Sequence, residues 1–163
     1  TRGNESNGPD QLYDQLVGAN AQDAFQAFLR LSKEPESAVA LLSDKLTSVT
    51  LTDIPDSEFR KAFLTLGARN LNIREKAQRQ FHEWGLSGYE RLMVQAESRP
   101  LGEIKQTFAE SFGNTLSTRY ARAGRLLMQI DSAASRDATD EIQSNTPSKL
   151  IRDAIRMATV SAP

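Results

Sequence analysis

The chain has 163 residues, with 20 Lys and Arg against 21 Asp and Glu, one His and no Cys. Without cysteine there is no disulfide framework and no thiolate metal site, and no apolar run approaches the ~18 residues of a membrane-spanning helix. The formal net charge of −1 gives no bulk attraction for nucleic acid or membrane. That near-neutral total is a cancellation. Residues 1–58 carry a net −6, residues 59–125 a net +6 and residues 126–163 a net −1. Such asymmetry marks either a binding surface or two ends of a fold that pack on each other.

Residues Thr1 to Pro9 are polar, with two Gly and one Pro, and read as a disordered lead. A start at Thr rather than Met is expected of a fragment or a processed product. Asp10 then caps a short helix with Leu12, Tyr13 and Leu16, ending near Gly18. Asn20 caps a second helix whose inner face holds Ala21, Ala24, Phe25, Phe28 and Leu29. Pro35 opens a third, with Ala38, Val39, Leu41, Leu42 and Leu46 on its core side. Residues 47–57 break the pattern, because Thr and Val are poor helix formers and Pro55 disfavours helix at Ile54. A crossing between helix layers is expected there.

Phe59, Ala62, Phe63 and Leu66 define a fourth helix. Asn70 and Asn72 are the candidate caps of a fifth, which buries Ile73, Ala77, Phe81 and Trp84 and stops at a left-handed Gly85. Tyr89, Leu92, Met93 and Ala96 mark a sixth. Pro100 opens a seventh with Leu101, Ile104, Phe108 and Phe112. Tyr120, Ala123, Leu126, Leu127 and Ile130 make an eighth. Ala134, Ala138 and Ile142 make a ninth, and Pro147 opens a tenth with Leu150, Ile151, Ala154 and Ile155. No segment alternates with period two. The expectation is an all-α fold of about ten helices in stacked antiparallel pairs, one helical-repeat domain over residues 10–160.

The run Asn70-Leu71-Asn72-Ile73-Arg74-Glu75-Lys76-Ala77, followed by Phe81, Trp84 and Gly85, resembles the second helix of the HEAT-repeat consensus. The wider chain, over about residues 10–158, resembles the helical domain found beside WD-repeat propellers in planctomycete-type bacterial proteins. The matching positions are Tyr13, Asp23-Ala24, Phe25, Leu31, Pro35-Glu36, Ala38-Val39, Leu41-Leu42 and the span from Arg119 to Met157. The chain departs from that pattern at Tyr13, where the family has Trp. It departs also at Asn70 and Asn72, where the family has an acid, and at Asp131-Ser132, which replace a Gly-Thr turn. The resemblance implies a HEAT-like α-solenoid and an interaction or scaffolding role without catalysis. It also implies a structural role for Arg74, whose forked guanidinium would reach a polar turn of the stack.

No constellation for chemistry emerges. A metalloprotease helix needs a second His four residues after His82, and that position is Leu86. Asp140 and Glu141 are adjacent and so point apart on a helix. No nucleophile elbow or phosphate loop is present. Gly67, Gly113 and Gly124 fall in or beside helices, where each permits close approach or costs ~1 kcal/mol. Arg119, Arg122 and Arg125 recur every third residue, near one helical face. Together with Arg91 they are the candidate partner-binding residues, while Asn70, Asn72, Arg74, Trp84 and Gly85 read as structural.

The expected function is a non-catalytic protein–protein interaction or scaffolding module from a larger bacterial protein. It would take no cofactor, and its partner would be another protein or another domain of the parent chain. No membrane insertion is expected, and a cytoplasmic location is slightly favoured. The alternative is nucleic-acid binding in a basic groove that adds Arg69, Arg74, Lys76, Arg79 and Arg99 to those arginines, with Trp84 or Tyr120 as the stacking aromatic.

Overall fold

In the computed structural model, which describes residues 8–160, Pro9 rather than Asp10 opens the first helix, α1 (Pro9–Leu16). Proline suits that position because its missing N–H would have no helical partner there. Asp10 lies in the first turn and makes no cap bond. Of the expected lead, residues 1–7 lie outside the described residues. Asn20 caps α2 (Ala21–Leu31) as expected, its Oδ1 accepting the Gln22 and Asp23 N–H groups at 2.9 and 3.2 Å. Pro35 opens α3 (Pro35–Thr47), and Pro55 precedes α4 (Asp56–Leu66). Then come α5 (Leu71–Ser98), α6 (Glu103–Ile130), α7 (Ala133–Asn145) and α8 (Lys149–Val160). The fold is all-helical, with no strand among the described residues.

The described helices number eight rather than about ten, and each merger has a local cause. Gly85 takes the expected positive φ (56°, ψ −130°), which is non-helical, and parts the expected fifth and sixth helices at a kink within α5. The expected fifth and sixth helices are therefore one element broken by a residue that needs no Cβ there. The expected seventh and eighth helices are the continuous α6. The polar stretch between them stays helical, and Thr115 bonds its hydroxyl to the Ser111 carbonyl one turn back at 3.0 Å. Pro100 and Pro147 precede their helices rather than opening them. Ser148 caps α8, its Oγ accepting the Ile151 N–H at 3.2 Å. At the α6–α7 turn Asp131 adopts φ 42°, a left-handed conformation that glycine favours. Ser132 and Ser135 then exchange side-chain bonds in a capping box that starts α7.

By its internal contacts the chain falls into two compact units. The first takes residues up to Val49 and from Ser117 onward, and the second is Thr50–Leu116. The boundary at Val49 lies in the segment that breaks the helical pattern, and α6 contributes to both units. In the first unit α1 packs on α2 and α3, and α3 on α7. Its largest fully buried side chains are Leu16, Leu42, Leu46, Leu126, Leu127, Ile142, Ile151 and Ile155. Gly124 lets α6 approach α8, since a Cβ there would sit 2.8 Å from the Ala158 Cβ. The buried face of α2 is Ala24, Ala27 and Leu31, which leaves Phe25 and Leu29 exposed. That is a rotation of the expected face. Small alanines let α2 sit close on α1, and the bulky pair turns outward.

The second unit is built around aromatic rings. Phe81 of α5 is fully buried. Its ring meets Phe59 of α4 at 5.8 Å, Trp84 of α5 at 5.1 Å and Phe108 of α6 at 5.8 Å, all edge to face. Phe108 stacks on Phe112 at 5.4 Å. His82 is exposed and lays its ring against Phe112 at 4.8 Å. Ile73 and Ile104, expected in this core, are exposed. They lie in the first turns of α5 and α6.

Two predictions follow from this packing. Phe81→Ala should cost about 3–5 kcal/mol by the lost burial and residual cavity, whereas Leu64→Ala, at a 64% exposed position, should stay within about 0.5 kcal/mol. Urea titrations of the two variants check the contrast. Tyr13 of the first unit and Tyr120 have phenols raised above their ordinary value, chiefly by burial. The unfolded chain therefore loses these protons at a lower pH than the folded one. Stability from this source is complete below about pH 10 and falls as pH rises above it. Tyr13→Phe should flatten that alkaline loss in melting curves taken between about pH 8 and 12.

Candidate interaction groove

One stripe of α4 carries Asp56, Phe59, Arg60, Phe63 and Leu64, at intervals of three and four. One stripe at the end of α5 carries Arg91, Val94 and Gln95, and Arg99 follows as its extended C-cap. These nine residues line a groove of about 550 Å³ within the second unit. Each wall runs over nine residues, so the groove is roughly 12 Å long, about two helical turns. Phe59 and Phe63 lie deepest, while Leu64 and Val94 are 64% and 62% exposed.

The walls are held together at one end by Arg91. Its guanidinium donates to the Ile54 carbonyl and to the Asp56 carboxylate. The same group lies over the Phe59 ring, 4.5 Å from the centroid. Ile54 is buried, and nearby the Thr52 N–H donates to Ser87 Oγ at 2.8 Å. The segment entering α4 is thus pinned to the second half of α5, the part that follows the Gly85 kink. On the α6 side, the Lys105 ammonium sits 3.9 Å from the Phe63 centroid. Cations over ring faces add attraction to the packing. Arg60 and Arg99 are exposed, and neither guanidinium has an ion-pair or hydrogen-bond partner among the described residues. Arg91 and Asp56 neutralise each other, so the groove presents two uncompensated positive charges, one on each wall.

The sequence-predicted residues fall in different places. Arg91, expected to face a partner, lines the groove but is engaged in the clamp. Arg122 is half-buried in the first unit, where Nη1 donates to the Leu16 and Gly18 carbonyls at 3.2 and 2.8 Å. It closes the end of α1, whose last carbonyls lack helical partners. Desolvation, then the neighbouring Arg119 and Arg125, pull its pKa below the usual guanidinium value. Of the expected trio only Arg125 is exposed, and Arg119 is half-buried. The every-third spacing therefore does not yield a uniform basic face.

Asn70 caps α5, accepting the Ile73 N–H at 3.3 Å. Asn72 makes no cap, because it is already the second helical residue and points to solvent. Arg74 reaches back to the Ala68 carbonyl of its own turn at 3.3 Å. Trp84 packs on Phe59 and Phe81. Among the described residues no group of three or more His, Asp or Glu is arranged to hold a metal, and no helix is long and apolar enough to cross a membrane.

Sequence reading missed Arg60, Leu64 and Val94 as site residues. A signal was present, since Leu64 and Val94 lie off the core stripes of their helices. A solvated helix face does not require an apolar residue there. Comparison with protein-family models, curated proteins and solved structures finds no match.

The clamp makes a prediction. Lysine keeps the charge of Arg91 but not its fork. Arg91→Lys should therefore destabilise the second unit by about 1–3 kcal/mol, the range for hydrogen bonds to charged groups. Asp56→Asn should leave the urea midpoint nearly unchanged, because that carboxylate is 93% exposed. Equal losses from both variants would show that the ion pair, not the Ile54 carbonyl, closes the clamp.

Proposed function

We propose that the protein is a non-catalytic helical interaction module whose α4–α5 groove receives an apolar segment of another protein or another domain. The observation that carries this reading is the pairing of Leu64 and Val94, two large apolar side chains exposed on facing walls of one groove. A groove two turns long, lined by phenylalanines and with one exposed apolar residue on each wall, suits a helix that inserts side chains at i, i+3 or i+4 and i+7. The hydrophobic gain would concentrate on a few such anchors. The HEAT-like resemblance around Asn70–Gly85 supports reading α4 and α5 as one helix pair of a stack, and its WD-associated form supports a scaffolding role in a larger bacterial protein. Nucleic-acid binding is the weaker reading. Arg91 and Arg122 direct their donors to backbone carbonyls, and Leu64 and Val94 stand exposed on the walls where a phosphate track would be polar.

A peptide-display selection tests the proposal. Helical sequences enriched on the wild-type chain should lose at least tenfold in affinity for a Leu64→Asp/Val94→Asp variant that melts like wild type. Both positions are exposed, so the substitutions leave the core intact. Enriched peptides that bind the double variant equally well, or a selection with no enrichment, would reject the groove as the interaction site.

A further inference from the structure

We infer that the occupant of the α4–α5 groove is an acidic amphipathic helix, one that places Leu-type anchors in the groove and carboxylates on both flanks. This inference rests on the interaction reading above and adds the chemistry of the partner. Its basis is the placement of charge around the apolar floor. Arg60 stands on the α4 wall and Arg99 on the α5 wall, both exposed and without partners among the described residues. The only carboxylate lining the groove, Asp56, is bound to Arg91.

A helix lying between the walls would therefore meet a cation on either side. Arginine binds a carboxylate with two parallel donors, so each flank can fix an Asp or Glu in register. Like charges in the same places would oppose docking, which separates acidic from basic helices by repulsion as well as attraction.

Geometry favours a peptide over the two other anionic partners. The exposed apolar residues Leu64 and Val94 stand on the two sides of a groove about two helical turns long, a length and shape matched to the apolar face of one helix. A nucleic acid would satisfy Arg60 and Arg99 but leave Leu64 and Val94 facing charged phosphates.

The test uses three labelled helical peptides of about 16 residues, each with Leu at i, i+4 and i+7. Their remaining groove-side positions are all Glu, all Gln or all Lys. Fluorescence anisotropy at low salt should rank them Glu, then Gln, then Lys, with the Glu peptide at least tenfold tighter than the Lys peptide. Arg60→Glu/Arg99→Glu should reverse that order while leaving the thermal midpoint of the full chain in place. Added salt should narrow the gap.

Equal binding of the three peptides, an order unaffected by the charge reversal, or no binding of the Glu peptide would overturn the inference. So would tighter binding to anionic-lipid vesicles or to a single-stranded oligonucleotide than to the Glu peptide. Display-selected helices that need Leu64 and Val94 but carry no acids would overturn the acidic partner alone. Loss of every groove-dependent helix would overturn the interaction reading itself.

Discussion

The second unit depends on a single buried ring. Phe81 contacts Phe59 on α4, Trp84 one turn along α5 and Phe108 on α6, each in the edge-to-face arrangement that the ring quadrupole favours. Three helices are thereby located against one side chain. The contacts fix which face of α4 turns inward, and Phe59, Ala62 and Leu66 fill it. With that face committed, a helix of 3.6 residues per turn must carry Arg60 and Leu64 on the side away from the core. The groove's α4 wall is a geometrical consequence of the Phe81 packing.

The kink at Gly85 sets the other wall. A straight helix would continue the direction of the segment holding Phe81 and Trp84. Instead Gly85 takes φ 56°, with nothing within 4 Å of where a Cβ would lie, so backbone freedom rather than crowding accounts for glycine there. Beyond the kink Arg91 reaches the Ile54 carbonyl and Asp56, which ties the redirected half of α5 to the entry of α4. The clamp is intramolecular and polar, and it lies beside an apolar floor. Its donors are consumed by the fold, which is why an arginine that looks like a partner-binding residue in sequence serves to hold the walls in place.

Helix existence was readable from the sequence because it rests on local rules: Asn20 and Asn70 as caps, Pro35 at a first position, and core residues recurring at three and four. Helix number was less readable. A polar stretch inside α6 looks like a boundary to any reading based on apolar recurrence, yet the helix runs through it, whereas Gly85 does break the helical geometry of α5. The rotation of α2 was unreadable for a different reason. Ala24 and Ala27 give little hydrophobic signal, and only their neighbours reveal that closeness, not bulk, determines that face. For the groove, the residues were visible but their pairing was not. Leu64 and Val94 are thirty positions apart, and only the α4–α5 turn and the kink bring them onto one cleft.

Charge shows the same limit most clearly. Cut by sequence, the chain has an acidic start and a basic middle. Cut by structure, the second unit holds nine basic and nine acidic residues, and the described part of the first unit holds ten and eleven. The asymmetry along the chain is absorbed because α6 delivers Arg119, Arg122 and Arg125 into the same unit as the acidic α1, α2 and α3. A bulk field is therefore not what would draw a partner to the second unit. What remains is local: two guanidinium groups without partners among the described residues, on opposite walls of one groove, in a unit whose total charge is zero. Selectivity built on such a pair acts at contact distance, where orientation of the incoming carboxylates matters. It differs from long-range steering, which needs a net charge that this unit does not have.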